Sequence, residues 1–472
     1  MRNWLLPENL EDILPPRAQR IDAMRAKLLG LFRLHGYELV IPPMLEYMES
    51  LLTGTGHDLD LRTFKLVDQL SGRMMGVRAD ITPQVARIDA HLLNRKGVTR
   101  LCYAGSVLHT RPRGLDSTRE PLQIGAEIYG HAGIESDVEI QRLLGESLAA
   151  CGVSGARLDV GHVAVFRAIC RRAGVGAELE SELYEVLQAK DLPGLRTATQ
   201  KLPKATRSAL LALPELYGDG SMLKRARRAL PRYPEIDRAL KDLGTLSGNG
   251  TIPVSVDLAD LRGYHYHSGV VFAAYAPGLA NAIALGGRYD EVGKAFGRAR
   301  PATGFSMDLR DLARAAPESN GTAAIRAPYS SDAGLAAAIR KLRGSGEIVV
   351  TRLPGHAAEP VSPECDREIV KRAASILSTE SNWNRNDNRQ CRTTDKTWSI
   401  YCAMEEATTE LAGAFHHRRP ALEVVRVIIE QRTKDKKYPH RLMGYNNDPT
   451  TKLSDVQSVF AEALSQMSPS AK

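Results

Sequence analysis

Gln123-Ile124-Gly125-Ala126-Glu127-Ile128-Tyr129-Gly130 alternates with a period of two, the period of a β-strand. That alternation sends Gln123, Gly125 and Glu127 to one face, where the glycine lets another group approach the backbone. A glutamine and a glutamate on an inner face are costly to bury without partners. Either a ligand or an internal network of polar groups must satisfy them.

Upstream, Val77-Arg78-Ala79-Asp80-Ile81-Thr82-Pro83-Gln84 reads as a strand running into a helix, with Thr82 as N-cap and Pro83 in the first turn. Val85, Ile88 and Leu92 are expected to form that helix's buried face. Asp80 and Thr82 then lie beside free helix N–H groups, a place that suits a small zwitterion. A capping carboxylate without a ligand explains the same spacing.

Downstream, Leu261-Arg262-Gly263-Tyr264-His265-Tyr266-His267-Ser268-Gly269 offers an arginine for a carboxylate and a Tyr/His run to line a pocket for a ring. No third ligand lies near the His-x-His pair in sequence, so no metal is expected. Gly286-Gly287-Arg288-Tyr289-Asp290 reads as a turn. Neither it nor Ala302–Asp308 is a P-loop or a dinucleotide fingerprint, and no cofactor is expected.

Working outward, residues 1–160 alternate helix and strand patterns. Ile21, Met24, Leu28, Leu31 and Phe32 recur at helical spacing up to Gly36, and a strand follows to Pro42-Pro43. Residues 161–250 read as a helical insertion with basic turns such as Lys224-Arg-Ala-Arg-Arg228, and 251–315 return to strands. After the soft linker at 315–321, residues 323–374 form a small strand–helix–strand unit stopped at Pro354-Gly355. From 375 to 472 the composition shifts toward Asn, Thr and Arg, with helices through 421–429 and 453–464 and two of the three tryptophans, Trp383 and Trp398.

The chain has 472 residues, of which 43% are hydrophobic and 25% charged, enough for two to four domains with ordinary cores. Its net charge of +8 is scattered among acids, so a solvated basic surface is expected rather than a nucleic-acid interface. The six cysteines form no Cys-x-x-Cys pair, which argues against disulfides and structural zinc; Cys391, Cys402 and His416-His417 match no usual metal spacing. No apolar stretch reaches the ~20 residues of a membrane span and the N-terminus lacks a signal-peptide pattern. A cytoplasmic protein is expected.

Together and in this order, the segments resemble the class II core of histidyl-tRNA synthetase over residues 5–315. The resemblance implies an α+β fold: an antiparallel sheet flanked by helices, with the helical insertion and small C-terminal units added. The helix and strand ending in Pro42-Pro43 look like motif 1, which builds a dimer interface in that family. Tyr103-Ala-Gly-Ser-Val-Leu to Glu127 looks like motif 2, and Gly286 to Asp308 like the approach to motif 3. Carried over, Asp80 faces an amino group with Thr82 beside it. Gln123 and Glu127 hold the amino group and imidazole, Arg262 the carboxylate, and Tyr266 lines the ring. His267 stands where the family has a second tyrosine.

The nucleotide apparatus departs from the synthetase pattern. The motif 2 strand that ends Phe-Arg-His-Glu-Arg there reads Leu108-His109-Thr110-Arg111-Pro112 here, and the motif 3 ending reads Asp308-Leu309-Arg310-Asp311. Arg310 lies one residue from the needed position, turned by about 100° on a helix. A histidine site without these charges resembles the regulatory-subunit family of short-form ATP phosphoribosyltransferases, as do Arg78–Gln84 and Leu342-Arg-Gly-Ser-Gly-Glu-Ile-Val-Val350. Residues 323–372 are also too few for a complete anticodon-binding domain. The resemblance implies a non-catalytic subunit that joins a short-form catalytic subunit and confers feedback by histidine on the first step of histidine biosynthesis. An active histidyl-tRNA synthetase and a tRNA-binding paralogue are the alternatives. Residues beyond 375 faintly resemble a small bacterial domain and imply no role.

Overall fold

In the computed structural model, residues Leu122–Tyr129 form a strand third from one edge of a nine-stranded sheet. The structure describes residues 5–53, 57–112, 114, 117–317, 324–353, 363–391, 396–413, 415, 419–433, 436, 438 and 440–467. The chain divides into two compact units, Met1–Ser319 and Asn320–Lys472.

From edge to edge, the sheet of the first unit runs Glu38–Leu39, Thr99–Ser106, Leu122–Tyr129, Ala302–Asp308, Ala284–Arg288, Val270–Tyr275, Arg157–His162, Val254–Asp257 and Tyr217–Gly218. The six strands from Thr99–Ser106 to Arg157–His162 are antiparallel, as expected. The sheet as a whole is mixed, because Glu38–Leu39 pairs parallel with Thr99–Ser106 and Arg157–His162 pairs parallel with Val254–Asp257. Parallel neighbours need long crossovers. One contains a three-stranded antiparallel sheet (Leu45–Tyr47, Met74–Val77, Phe64–Val67), and the other is the helical insertion. The insertion is not purely helical, since it supplies the edge strand Tyr217–Gly218.

The two faces of the Leu122–Tyr129 strand have different tasks. Ile124, Ala126 and Ile128 enter the main core with Ile21, Leu28 and Phe32 of helix Arg17–Leu34 and Ile140 and Leu144 of helix Ile134–Ala150. Burying a side chain such as Phe32 stabilises the fold by roughly 1.5–3 kcal/mol. The opposite face carries Gln123, Gly125 and Glu127. Gly125 does not leave room for a ligand: it pairs with Tyr103, and an added Cβ would lie 2.4 Å from the Tyr103 hydroxyl. The neighbouring strand's ring takes that space.

Three local expectations are corrected. Thr82 does not cap its helix; Asp80 Oδ1 accepts the Thr82 N–H at 3.0 Å instead. Leu92 is 63% exposed, because the helix Thr82–Arg87 widens into a π-helix at Ile88–Leu93 and the extra residue turns Leu92 outward. The same turn buries Asp89, which accepts from Arg300 Nη1 at 2.7 and 2.9 Å. Gly286-Gly287-Arg288 is strand rather than turn, since close packing selects glycine there: a Cβ on Gly286 would lie 2.4 Å from the Phe272 ring.

In the second unit, Ile325–Pro328 and Val349–Arg352 pair parallel beside helix Ala333–Gly344, which Asp332 caps. Helices Pro363–Ile376, Ile400–Ala412, Pro420–Arg432 and Leu453–Gln466 share a second core containing Ile369, Val370, Met404, Val425, Ile428 and Phe460. Asn446 Oδ1 accepts from Trp383 Nε1 at 2.9 Å and from the Ile400 N–H at 3.0 Å, fixing the connecting segment to the bundle. That anchorage brings together two cysteines eleven positions apart: Cys391 and Cys402 form a disulfide, contrary to the expectation from spacing. Pro354-Gly355 and His416-His417 lie outside the described residues.

Candidate functional site

Glu127 is 1% exposed, yet it borders a cavity of about 1030 Å³. Three hydroxyls converge on it. Tyr103 donates to Oε1 at 3.0 Å, the Thr82 hydroxyl lies 3.2 Å from the same oxygen, and Tyr289 donates to Oε2. Burial pushes the Glu127 carboxyl up to about 8, outweighing these hydrogen bonds; the nearby Asp80 charge acts in the same direction. Gly304 faces Glu127 across the strand pair, where a Cβ would fall on the carboxylate.

Asp80 is held from two sides. Its Oδ1 accepts from Gln123 Nε2 at 2.8 Å and from the Thr82 N–H at 3.0 Å. Gln123 Oε1 in turn accepts the Ile81 N–H at 2.9 Å. No contact engages Asp80 Oδ2 among the described residues. The structure thus brings Asp80, Thr82 and Glu127 to the cavity wall and turns Gln123 toward Asp80, outside the lining.

The opposite wall is the segment Arg262–His267. The Gly263 backbone has φ +64°, a left-handed conformation suited to glycine, and lets the chain fold tightly enough to present Arg262, Tyr266 and His267 together. Arg262 Nε pairs with the buried Asp260 at 3.0 Å and Nη2 donates to the Tyr275 hydroxyl at 3.0 Å. The Tyr266 ring packs 5.2 Å from Tyr289, and its buried hydroxyl has no partner among the described residues. Burial raises the Tyr266 phenol well above its usual range, with the charges of Asp80 and Glu127 adding to it. A buried hydroxyl without a partner is costly, which suits a position that a polar ligand completes.

A mouth with opposed acidic and basic groups, aromatic rings and a buried carboxyl can hold a small zwitterion with a polar ring. Among the described residues, no group of three or more His, Cys, Asp and Glu side chains could hold a metal ion.

Comparison with known proteins gives the lineage. The family described as Histidyl-tRNA synthetase matches residues 9–312, and the ATP phosphoribosyltransferase subunit HisZ C-terminal domain matches 322–375. A family of unknown function (DUF6197) matches 361–466. An ATP phosphoribosyltransferase regulatory subunit of Ralstonia pickettii is 60% identical over 370 residues, 78% of this chain and 96% of the relative. One from Burkholderia cenocepacia is 59% identical over 374 residues, 79% and 98% of the two chains. The crystal structure of an ATP phosphoribosyltransferase regulatory subunit/histidyl-tRNA synthetase from Bacillus halodurans aligns with a TM-score of 0.67 at 26% identity, covering 75% of this chain and 94% of that one. The chain belongs to the ATP phosphoribosyltransferase regulatory subunit family.

In this member of the regulatory-subunit family, His109, Arg111, Arg310 and Asp311 have specific places. His109 is fully buried, its Nε2 2.9 Å from the Ala79 carbonyl, and does not line the cavity. Arg111 does line it and is exposed. Arg310 is buried and turned toward Glu120 at 3.3 Å and Glu11 at 3.6 Å; Asp311 pairs with Arg314 at 3.3 Å. Neither Arg310 nor Asp311 reaches the cavity lining. Among the described residues no helix is long and apolar enough to cross a membrane.

The sequence did not single out Tyr103 or Tyr289 as site residues. Tyr103 carried a legible signal, since a glycine opposite an aromatic on an inner face marks a ring lying across the strand. Tyr289 had none, because the segment holding it read as a turn. Ser181, Tyr184 and Glu185 of helix Ala177–Gln188 also reach the cavity from the insertion, a long-range approach that no local pattern encodes.

Proposed function

We propose that this chain is the regulatory partner of a short-form ATP phosphoribosyltransferase catalytic subunit and that free histidine occupies the cavity as its effector. The convergence of the Thr82, Tyr103 and Tyr289 hydroxyls on Glu127 carries the reading, because it holds a buried carboxyl at the wall that also presents Asp80. The open Asp80 Oδ2 suits the ammonium and Arg262 the carboxylate. Glu127, Tyr266 and His267 are left for the imidazole. The charge-assisted contacts to Asp80 and Arg262 contribute about 1.5–3 kcal/mol each.

The chain holds histidine without activating it. Adenylation requires positive groups preorganised around phosphates. The burial of His109, the engagement of Arg310 with Glu120 and Glu11, and the acid at Asp311 all support their loss. Self-association uses the motif 1-like region, where Leu39, Ile41, Met44 and Leu45 are 50%, 81%, 46% and 43% exposed around a short edge strand. The protein works in the cytoplasm and needs neither nucleic acid nor cofactor.

Calorimetric titration of the purified chain with histidine, followed by assays of the complex reconstituted with the catalytic subunit, tests this. Saturable binding and histidine-dependent loss of transferase activity are expected. A folded chain that takes up no histidine refutes the effector site. Histidine-dependent ATP–pyrophosphate exchange by the chain alone refutes the non-activating role.

A further inference from the structure

His267 differs from the other cavity groups in having its proton position fixed by its surroundings. Its Nδ1 lies 3.2 Å from the Arg288 carbonyl oxygen. A carbonyl only accepts, so Nδ1 carries the hydrogen and Nε2 keeps a lone pair. The Arg288 carbonyl is itself fixed: it also accepts the Ser268 N–H at 2.8 Å, while the Arg288 side chain is bound to Asp137 at 2.5 Å and Ser136 at 2.8 Å.

The ring has little freedom to turn. Gly263 and Gly287 flank it so closely that a Cβ on either would lie 2.7 or 2.9 Å from ring atoms. The Tyr266 ring stands perpendicular at 5.3 Å. Burial pushes the imidazole down to about 4, so it stays uncharged near neutral pH. Nε2 meets no protein partner among the described residues, and His267 lines the cavity.

We propose that His267 is the specificity-determining acceptor of this cavity: its Nε2 lone pair takes a hydrogen bond from a ring N–H of the ligand. The inference rests on the reading of the cavity as a histidine site. A neutral imidazole offers one N–H and one lone pair, and His267 matches only the N–H. A ring of the same size without an N–H offers His267 no donor and leaves its Nε2 acceptor unsatisfied. Near pH 7 Glu127 retains its proton and suits the other ring nitrogen.

The test compares histidine with 2-thiazolylalanine, whose ring has the same size and no N–H, by calorimetry on the full chain. The wild-type chain is expected to bind histidine about 10-fold more tightly or better. His267→Phe, with folding checked by thermal melting, should reduce that ratio at least about 5-fold. His267→Gln keeps an acceptor oxygen and should retain most of it. A wild-type ratio near one overturns the inference without any variant, as does a ratio that His267→Phe leaves unchanged. If the wild-type chain binds no histidine at all, the effector site falls as well, which separates that failure from this one.

Discussion

Gln123 Nε2 donates to Asp80 Oδ1 at 2.8 Å while Gln123 Oε1 takes the Ile81 N–H at 2.9 Å, so one amide fixes an acid against the start of a helix. Asp80 lines the cavity, and its Oδ2 has no contact among the described residues. Gln123→Ala should weaken histidine binding about 3- to 10-fold by loosening Asp80, with no ligand contact removed. It should also cost about 1–3 kcal/mol of stability, because the Ile81 N–H loses its buried partner. Calorimetry and urea unfolding measure the two effects. A folded Gln123→Ala chain with wild-type affinity would show that Asp80 needs no such support.

Glu127 makes stability depend on pH. Its carboxyl rises from an ordinary 4.5 to about 8, so between those values the folded chain binds a proton that the unfolded chain has lost. The stabilisation is complete below about 4.5 and is lost as pH rises through about 8, with a slope of roughly 1.4 kcal/mol per pH unit between them. His162 and His267, lowered from 6.5 to about 4, act oppositely, raising stability between those values as pH rises. Of these three, Glu127 alone still contributes between pH 6.5 and 8. Urea unfolding across that window should show stability falling for the wild-type chain and a flatter profile for Glu127→Gln. Equal slopes would place the proton elsewhere.

Helix Pro363–Ile376 belongs to the C-terminal bundle through Ile369, Val370 and Ala373, all fully buried. A chain ending at 319 follows the division between the two compact units and should stay soluble, melt cooperatively and retain histidine binding. A chain ending at 375 should keep the same core folded but expose those three side chains, and bind the dye ANS more strongly. Equal dye binding by both would show that the helix finds another apolar surface.

The architecture was legible where the signal was periodic. The face-splitting of 122–129, the helix Arg17–Leu34 and the helices near 421–429 and 453–464 follow from spacing alone. Local patterns failed where a distant partner decides. Leu92 is exposed by a π-turn, Gly286-Gly287 are selected by Phe272 and a neighbouring backbone, and Cys391 meets Cys402 because Asn446 holds Trp383, 63 residues away, and Ile400, 46 residues away. For the site, residue types named Asp80, Thr82, Glu127, Arg262, Tyr266 and His267, which do share one cavity. The placement of Gln123 beneath Asp80 depends on side-chain direction, which a one-dimensional pattern does not contain.

Glu127 and Arg262 should report on opposite ends of bound histidine. Removing the neutral Glu127 hydrogen bond, worth about 0.5–1.5 kcal/mol, should weaken binding roughly 2- to 13-fold, and removing the charge-assisted Arg262 contact, worth about 1.5–3 kcal/mol, roughly 10- to 150-fold. The two variants should differ in stability. Glu127→Ala takes away a carboxyl that three hydroxyls already satisfy, leaving neutral groups that can bond one another: the Thr82 and Tyr103 oxygens are 3.0 Å apart. Arg262→Ala strands Asp260, which is 8% exposed and whose Oδ2 has no partner among the described residues, so it should lower stability by several kcal/mol. Arg262→Ala combined with Asp260→Asn removes that uncompensated charge and should recover stability while histidine affinity stays low. Assembly with the catalytic subunit should survive in all three, because Glu127 and Arg262 line the cavity and Asp260 is buried behind Arg262. Feedback should fade in step with affinity, since an effector shifts an equilibrium only by its differential binding to the two states. Calorimetry, urea unfolding and assays of the reconstituted complex separate these effects. Recovery of histidine affinity together with stability in the double variant would assign Arg262 to the support of Asp260 and leave the ligand's carboxylate to another residue.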